Sequence, residues 1–414
     1  MVKKNSILNI HKNYLYILGV VLFLFIIYYF YKNHSVESFN NINEILNKNV
    51  NNENVNGYRN KNSKLNLKYF RCDIKKLGTI NNEIFSDYGI TKNNNNWDIY
   101  VPCGYNNAEK ELLTIQINGL NRNNKFVFGI NGCDSIVSKN KIWETLVECY
   151  GRKEASFYMP ESYVLHNKKE MDLFKNNFKS GEIYILKKNV QRKEGLKLTN
   201  NLEDILNSSL DNYRVAQTYL KNLYLVNKRK INLRIYLLVV VKNGYKIFYI
   251  SKIGKCIYTK KEYNDNHFDF ESNITSYHLD MSVFEKNPRN FNELFKYINN
   301  DGVVENKSII LEKNIYHLMK KVSACISRSV YQSSNIKNTV SFQIFGGDVI
   351  FDNNLHPYLL EFNKGPDMVP RDIKDKFMKK KVQEDMFKTV GILPESSIEN
   401  KQNNVFYEIY RTKL

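Results

Sequence analysis

Two apolar segments in the last quarter of the chain contain side chains whose oxygen atoms could bind a metal ion. Asp348 lies in FGGDVIFD, and Glu361 and Asn363 lie in LLEFN. Positions two apart in a β-strand face the same side, so Glu361 and Asn363 share a face while Phe362 points away. Buried carboxylates need a counter-charge, and these oxygen ligands suit magnesium held with nucleotide phosphates. The pattern therefore predicts a metal site, with salt bridges to Lys or Arg, or exposure to solvent, as the alternatives.

The segments around these residues alternate short strands with helices, which predicts a mixed α/β fold. Residues 64–165 contain the strands LNLKYF and WDIYV and an amphipathic helix, and they form a predicted N-terminal α/β lobe. Residues 166–225 contain EIYILKK and RVAQTYL and form a central lobe.

Residues 226–395 form a predicted third lobe that contains the metal site. Its runs INLRIYLLVVV and YKIFYIS are separated by a turn at Lys242 to Gly244 and predict a buried hairpin. A long helix is predicted from Lys313 to Tyr331, and residues 396–414 are predicted to be a polar tail.

The N-terminal region contains an uncharged run of 18 residues from Tyr14 to Tyr31. As a helix this run is about 27 Å long, which matches the hydrocarbon core of a bilayer. It predicts a single-pass membrane anchor in residues 1–31, with a cleaved signal peptide as the alternative. Residues 32–63 are Asn-rich and predict a flexible linker. The body of the chain that follows this linker is expected on the cytosolic side of the membrane.

The chain of 414 residues carries 61 Lys and Arg against 42 Asp and Glu, a formal net charge of +19. A basic surface attracts acidic partners, although the many Asn, Lys, Ile and Tyr residues are also what an AT-rich genome supplies. The six cysteines form no CxxC pair, which argues against zinc and favours scattered thiols over three disulfides.

Several segments resemble the tubulin-tyrosine ligase-like enzymes. SFQIFGGDVIFDNNLHPYLLEFNKGP is similar to that family's magnesium-binding segment, FQxFGxDxxxD followed by WLxEVNxxP. RKINLRIYLLVV resembles the family phrase RKFDLRxYVLV, and FYMPESYVL resembles the end of its first lobe. The matches keep the family's order from about Tyr158 to Pro366. The resemblance implies an ATP-grasp fold, with three lobes around a nucleotide cleft.

The resemblance also assigns roles to individual residues. Lys187, Lys230 and Arg234 would be catalytic cations against the phosphates of ATP, and Lys252 would meet the substrate. The positions assigned to nucleotide binding are Lys187, Gln217, Tyr219, Leu220, Lys230, Asn232 and Thr275. Asp348, Glu361 and Asn363 would hold magnesium, with two ions expected.

The function implied is that of an ATP- and magnesium-dependent ligase, which joins Tyr, Glu or Gly to a protein carboxylate through an acylphosphate. The use of ATP is the reason to expect the catalytic body on the cytosolic side, where ATP is abundant. Its expected partners are ATP, a free amino acid, an acidic protein such as a tubulin tail and, through residues 14–31, a membrane; nucleic acid is not expected. The chain departs from the family in having Asn232 for Asp, Thr218 for Lys, Ser276 for Asn and Lys252 for Arg. These departures leave two alternatives: a silent relative acting as a membrane-tethered binding module, or a ligase for a non-tubulin substrate.

Overall fold

A computed structural model describes residues 64–72, 77–104, 107–117, 125–190, 195–264, 268–276, 279–300, 306–332, 336, 338–394 and 403–414. The fold is mixed α/β, as the sequence predicts. The strands are β1 (Lys68–Phe70), β2 (Thr91–Lys92), β3 (Ile99–Tyr100), β4 (Phe126–Phe128), β5 (Ser162–Val164), β6 (Tyr184–Lys187), β7 (Leu196–Thr199), β8 (Val215–Thr218), β9 (Leu225–Val226), β10 (Arg229–Lys242), β11 (Tyr245–Ser251), β12 (Lys255–Tyr258), β13 (Val340–Phe351), β14 (Pro357–Asn363) and β15 (Phe406–Lys413).

Within these residues, eleven strands form one sheet and four form another. The larger sheet has the order β15-β11-β10-β13-β4-β3-β1-β2, with β9 and β12 pairing with β10 and β14 pairing with β13. The smaller sheet has the order β5-β8-β6-β7. Because strands from both ends of the chain join the larger sheet, it marks no boundary between the predicted first and third lobes, and the lobe boundaries stay predictions.

The helices pack against these sheets. They are α1 (Thr79–Asp87), α2 (Ala108–Ile117), α3 (Cys133–Val137), α4 (Lys139–Tyr150), α5 (Arg152–Tyr158), α6 (Lys168–Asn177), α7 (Leu202–Asn207), α8 (Phe270–Asn273), α9 (Val283–Lys286), α10 (Phe291–Asn300), α11 (Lys307–Ile326) and α12 (Ile373–Val390). The largest core lies between the larger sheet and α4, α10 and α11, and it includes Trp143, Leu294 and Leu318.

The predicted hairpin is confirmed as β10 and β11, which pair antiparallel up to Lys242 and Tyr245. Asn243 and Gly244 between them have φ of 52° and 77°. A two-residue turn with both φ values positive matches the twist of the flanking strands, and Asn-Gly adopts it readily. The hairpin thereby brings two apolar runs of the sequence into the larger sheet.

Three local predictions need correction. The long helix covers Lys307–Ile326, because Ser327–Ser329 form a 3-10 turn and Val330 is extended. The predicted polar tail contains β15, whose Phe406 and Ile409 are buried as it pairs with β11. Cys72 and Cys103 are joined in a disulfide, whereas the sequence favours free thiols.

No helix in the described part of the chain is long and apolar enough to cross a membrane. The two longest described helices, α11 and α12, each carry several charged residues along their length. The single-pass membrane architecture and localisation predicted from the sequence are corrected by this finding. The run from Tyr14 to Tyr31 lies outside the described residues.

Leu237 tests the packing at the centre of this sheet, because it is fully buried in β10 and belongs to the main core. Leu237→Ala should lower the free energy of unfolding by about 3 kcal/mol, since it removes buried methyl groups and leaves a cavity. Equilibrium unfolding in urea measures this change. The matched control is Leu210→Ala, at a side chain that is 82% exposed, where a change below about 0.5 kcal/mol is expected. Equal losses in the two variants would contradict the described core.

Candidate functional site

The three predicted metal ligands lie together on neighbouring strands. Asp348 in β13 is directly opposite Glu361 in β14, and Gly346 is opposite Asn363. The side-chain amide of Asn363 donates to Oδ2 of Asp348 over 3.2 Å. The oxygen atoms of all three residues therefore gather on one face of the sheet.

A register shift places an extra residue in β14 beside this group. Asp348 pairs with Glu361 and Val349 pairs with Leu359, so Leu360 has no partner opposite it in β13. A bulge of this kind releases one backbone carbonyl from the ladder. Nζ of Lys187, at the end of β6, donates to the carbonyl of Leu360 over 3.4 Å. The bulge thus links the smaller sheet's lysine to the carboxylate pair.

Both carboxylates form ion pairs in this structure. Nε and Nη2 of Arg234 donate to Oδ1 and Oδ2 of Asp348 over 2.7 and 3.2 Å. Nζ of Lys139 lies 3.1 Å from Oε2 of Glu361 and also donates to the carbonyl of Val190. The salt-bridge alternative and the ligand arrangement are therefore present at the same place.

The buried carboxylates influence each other's protonation. Burial and the nearby Glu361 hold the pKa of Asp348 above its usual range, although Arg234 opposes this shift. Burial alone would raise the pKa of Glu361, but Lys139, Lys187 and Arg234 together lower it. A carboxylate whose pKa is raised is stabilised in its charged form by added positive charge, so a metal ion beside Asp348 would be favourable. Burial likewise lowers the pKa of Lys187 to about 8, partly opposed by Glu361.

Gly346 makes room for the arginine of this cluster. A Cβ atom there would come within 3.0 Å of both Cδ of Arg234 and Cβ of Pro366. A larger residue would therefore press on the Arg234 side chain that reaches Asp348.

A second polar cluster lies farther along the same face of β10. Lys230 is 2% exposed, and its Nζ donates to the hydroxyl of Tyr219 and to Oδ1 of Asn273, the latter over 3.1 Å. The ammonium also lies 4.1 and 4.7 Å from the ring centroids of Tyr219 and Tyr263. Burial lowers the pKa of Lys230 to about 7. Incoming phosphate charge would restore its protonation.

Asn232 lies between the two clusters on the same face. Its amide nitrogen donates to Oγ1 of Thr275 over 2.8 Å. Its Oδ1 is buried and has no hydrogen-bond partner among the described residues. An orphaned buried oxygen next to two cations fits a ligand that brings a donor or a metal ion to this position.

Gln217 and Leu220 lie in and just after β8. Nε2 of Gln217 donates to the carbonyl of Pro160 and to Oγ of Ser162, which holds β5 against β8. Its Oε1 also has no partner in the part of the chain that the structure describes. Leu220 is half-buried just beyond the strand. The structure thus gives Gln217 a packing role and leaves its side-chain oxygen for a ligand.

Lys252 is not brought to this site. It follows β11, where Phe248 and Ile250 point into the core beneath the larger sheet. Its Nζ lies 5.8 Å from the ring centroid of Tyr407, and Glu312 of α11 opposes the lowering of its pKa by burial. The residue therefore faces α11, on the opposite side of the sheet from Arg234, and the substrate role predicted for it stays a prediction.

Lys139 is a member of the site that sequence reasoning misses. It is 5% exposed at the start of α4, where its amide also donates to Oδ1 of Asn189. A lysine at a helix terminus is normally solvated, so its type and position give no signal. Only its long-range contact with Glu361 identifies it.

The donor set fits magnesium by its chemistry. Asp348, Glu361 and Asn363 offer carboxylate and amide oxygens, which are the ligands of hard cations. The group lacks sulfur and imidazole ligands, which argues against a zinc site here.

The profile of the tubulin-tyrosine ligase family matches residues 122–399. The chain is 27% identical over 290 residues to a probable beta-tubulin polyglutamylase of Tetrahymena thermophila, covering 63% of this chain and 23% of that protein. It is 26% identical over 285 residues to the tubulin polyglutamylase ttll-5 of Caenorhabditis elegans, covering 61% of this chain and 38% of that protein. It is 25% identical over 219 residues to the tubulin glycylase 3F of Tetrahymena thermophila, covering 48% and 23%. The chain therefore spans less than half the length of these relatives.

The buried Lys230 makes stability depend on pH. Its pKa is about 7 in the folded protein, against an ordinary 10.5, so above pH 7 the unfolded chain holds a proton that the folded protein has lost. The unfolded state then binds more protons, and stability rises with pH through this window. Lys230→Met should reduce the gain in unfolding free energy between pH 7 and pH 9, measured by denaturant titration. Lys242→Met, on the same strand, is the control, and an unchanged gain in Lys230→Met would contradict the burial described.

Glu361 also stabilises the folded protein, through its ion pair with Lys139. Glu361→Gln should lower the free energy of unfolding by about 3 kcal/mol without added metal, because Lys139 stays buried and loses its anionic partner. Glu144→Gln changes an exposed ion pair with Lys141 by the same substitution and should cost less than about 1 kcal/mol. Thermal or urea unfolding of the two variants beside the unchanged protein measures the difference. An equally small effect at both positions would mean that the Lys139 pair carries no stability.

Proposed function

This chain belongs to the tubulin-tyrosine ligase family, and on that premise we propose that it is an ATP- and magnesium-dependent ligase that joins an amino acid to a carboxylate of an acidic protein. The observation that carries the proposal is the arrangement of Asp348 and Glu361 opposite each other, among the cations Arg234, Lys139 and Lys187. A buried face with paired carboxylates and surplus cations suits a magnesium–triphosphate complex.

The proposed reaction has two steps. An oxygen of the acceptor carboxylate attacks the γ-phosphorus of ATP, the bond to the β-phosphate oxygen breaks, and ADP leaves with the electron pair. The amine of the amino acid then attacks the acyl carbon of the acylphosphate, phosphate leaves with its bonding electrons, and the amine loses a proton. The product is an amide bond.

The chain's own residues contribute charge and position to these steps. Lys187 and Lys230, whose pKa values burial lowers to about 8 and about 7, would gain full charge as phosphate approaches. Arg234 would hold phosphate oxygens from its place beside Asp348. Magnesium held by Asp348, Glu361 and Asn363 would supply positive charge next to the phosphates. Fixed charges of this kind stabilise the transition state of phosphoryl transfer without reorganisation.

The acceptor class follows from charge and from the relatives. The net charge of +19 favours an acidic partner by long-range attraction. The similar proteins are named tubulin polyglutamylases and a tubulin glycylase, which makes a tubulin tail the first acceptor to test. The amino acid would come from the free pool.

A binding module without catalysis is the second candidate function. It is favoured by Asn232, which brings no charge to the face that Lys230 and Arg234 share, and by the ion pairs that already satisfy both carboxylates. It predicts nucleotide or protein binding with no ATP consumption.

Incubation of the full chain with ATP, magnesium, glycine, glutamate or tyrosine, and tubulin tests both candidates. Mass spectrometry of the tubulin tails should find added residues, and tubulin with its acidic tails removed should stay unmodified. Glu361→Gln should lower product formation by about 100-fold or more, because it removes a charged metal ligand. Glu144→Gln is the matched control and should keep the activity. Nucleotide binding without ATP consumption by the unchanged protein would favour the binding module, and equal activity in both variants would contradict the site.

A further inference from the structure

Two free cysteines meet at the ends of two packed helices. Cys149 is the second-last residue of α4, and Cys325 is the second-last residue of α11. A side-chain hydrogen bond joins the two thiols, and Cys149 packs against the core cluster that contains Cys325. Thiols in contact need little movement to reach the short Cβ separation of a disulfide, about 4 Å. The two cysteines therefore form a pair that oxidation can join.

Both thiols border an open cleft on the helix-covered side of the larger sheet. The cleft has a volume of about 460 Å³, within the range of about 300–1,000 Å³ that is usual for small-molecule pockets. Cys149 is half-buried, whereas Cys325 is only 1% exposed. A small molecule that enters the cleft therefore meets the sulfur of Cys149 first.

The cleft is positively charged. Lys246 and Arg328 line it, and its walls contain no carboxylate among the residues that the structure describes. Nζ of Lys246 donates to the carbonyl of Ser327 over 2.9 Å. Arg328 is exposed and has no ion-pair partner within the described ranges. Cations beside an accessible thiol attract anions and favour the thiolate, which is the reactive form.

The two thiols differ in the order in which they can react. Burial and the neighbouring Cys149 raise the pKa of Cys325 to about 12, although Arg328 opposes this shift. Cys325 is therefore a neutral thiol while Cys149 is free. Once Cys149 is part of a disulfide, its hydrogen bond and its charge no longer disfavour the thiolate of Cys325. Attack by Cys149 thus prepares Cys325 for the second step.

We propose that Cys149 and Cys325 form a thiol–disulfide exchange site whose cationic cleft takes a small anionic disulfide. The thiolate of Cys149 attacks one sulfur of that molecule, its S–S bond breaks, and one half leaves as a thiolate. Cys325 loses its proton to water and attacks the sulfur of Cys149, and the second half leaves with the bonding electrons. The chain is oxidised by two electrons, and the small disulfide is reduced to two thiols that take up the two protons.

The product is a covalent link between the ends of α4 and α11. These helices are far apart in the sequence, and a crosslink between such elements constrains the unfolded chain and stabilises the folded protein. The linked helix α4 begins with Lys139, which is paired with Glu361. The exchange does not depend on the proposed ligase function, because it needs neither ATP nor an acceptor protein.

Oxidised glutathione, a disulfide that carries several carboxylates, tests the exchange on the full chain. The folded protein is incubated with it, free thiols are alkylated, and peptide mapping by mass spectrometry identifies each disulfide. We expect a Cys149–Cys325 crosslink that dithiothreitol reverses, with Cys133 and Cys256 still free because both are fully buried. In Cys325→Ser the reaction should stop with glutathione attached to Cys149.

Three results of this mapping would overturn the exchange site. They are Cys149 and Cys325 both still free in the unchanged protein, glutathione that stays attached to Cys149 in the presence of Cys325, and oxidation of Cys133 to the same extent as Cys149. Because all three are read from the unchanged protein, they do not depend on whether a variant folds.

The charge of the cleft is tested by the rate of crosslinking with two disulfides of opposite charge. Oxidised glutathione should react at least about threefold faster than cystamine, which carries two ammonium groups, at low ionic strength. Arg328→Gln should remove at least about half of this preference. Lys320→Gln makes the same change of charge at an exposed position of α11 that does not line the cleft, and should keep the preference. Cystamine reacting as fast as glutathione, or equal preferences in the two variants, would overturn the role of the cleft.

Discussion

Asp348 and Glu361 face each other across two hydrogen-bonded strands, mostly hidden from water, and their mutual repulsion must be offset for the strands to pair. Arg234 from β10 and Lys139 from α4 supply that offset, each from a distant part of the chain. Because these cations come from other parts of the chain, neutralising the two carboxylates holds β10 and α4 against β13 and β14. Local backbone preferences alone would not bring these elements together. The ion pairs that hold the fold here are also the groups that a magnesium–phosphate complex would use.

The two-residue period of β10 places further polar side chains beside the carboxylate pair, and together they form a surface long enough for a nucleotide. Lys230, Asn232 and Arg234 alternate with Ile231, Leu233 and Ile235, so β10 presents a polar face and a core face at once. Four steps from Lys230 to Arg234 cover about 13 Å. A strip of this length reaches from the buried Tyr219–Lys230 contact to the carboxylate pair, with the bulge at Leu360 admitting Lys187 from the smaller sheet.

The sequence predicts which residues share a face within one strand. It does not predict the position of residues that depends on pairing between strands distant in the chain. Glu361 and Asn363, and likewise Lys230 and Arg234, follow from period two alone. The side of the sheet on which Lys252 lies depends on how β11 pairs with β10, and β15 depends on the same long-range pairing. The role of Lys139 in the site depends on its ion pair with Glu361, which is more than two hundred positions away in the sequence. No described helix is long and apolar enough to cross a membrane, which corrects the anchor that bilayer-length reasoning predicts for residues 14–31, a run outside the described residues.

The central claim is that the facing carboxylates couple metal binding to nucleotide binding, and calorimetric titration of the full chain with ATP tests it most directly. The titration is done with magnesium and with a chelator, for the unchanged protein and for Asp348→Asn. The account predicts that magnesium tightens ATP binding at least about tenfold in the unchanged protein, and that Asp348→Asn removes most of this gain. Equal ATP affinity with magnesium and with chelator, or a magnesium effect that Asp348→Asn leaves intact, would contradict it.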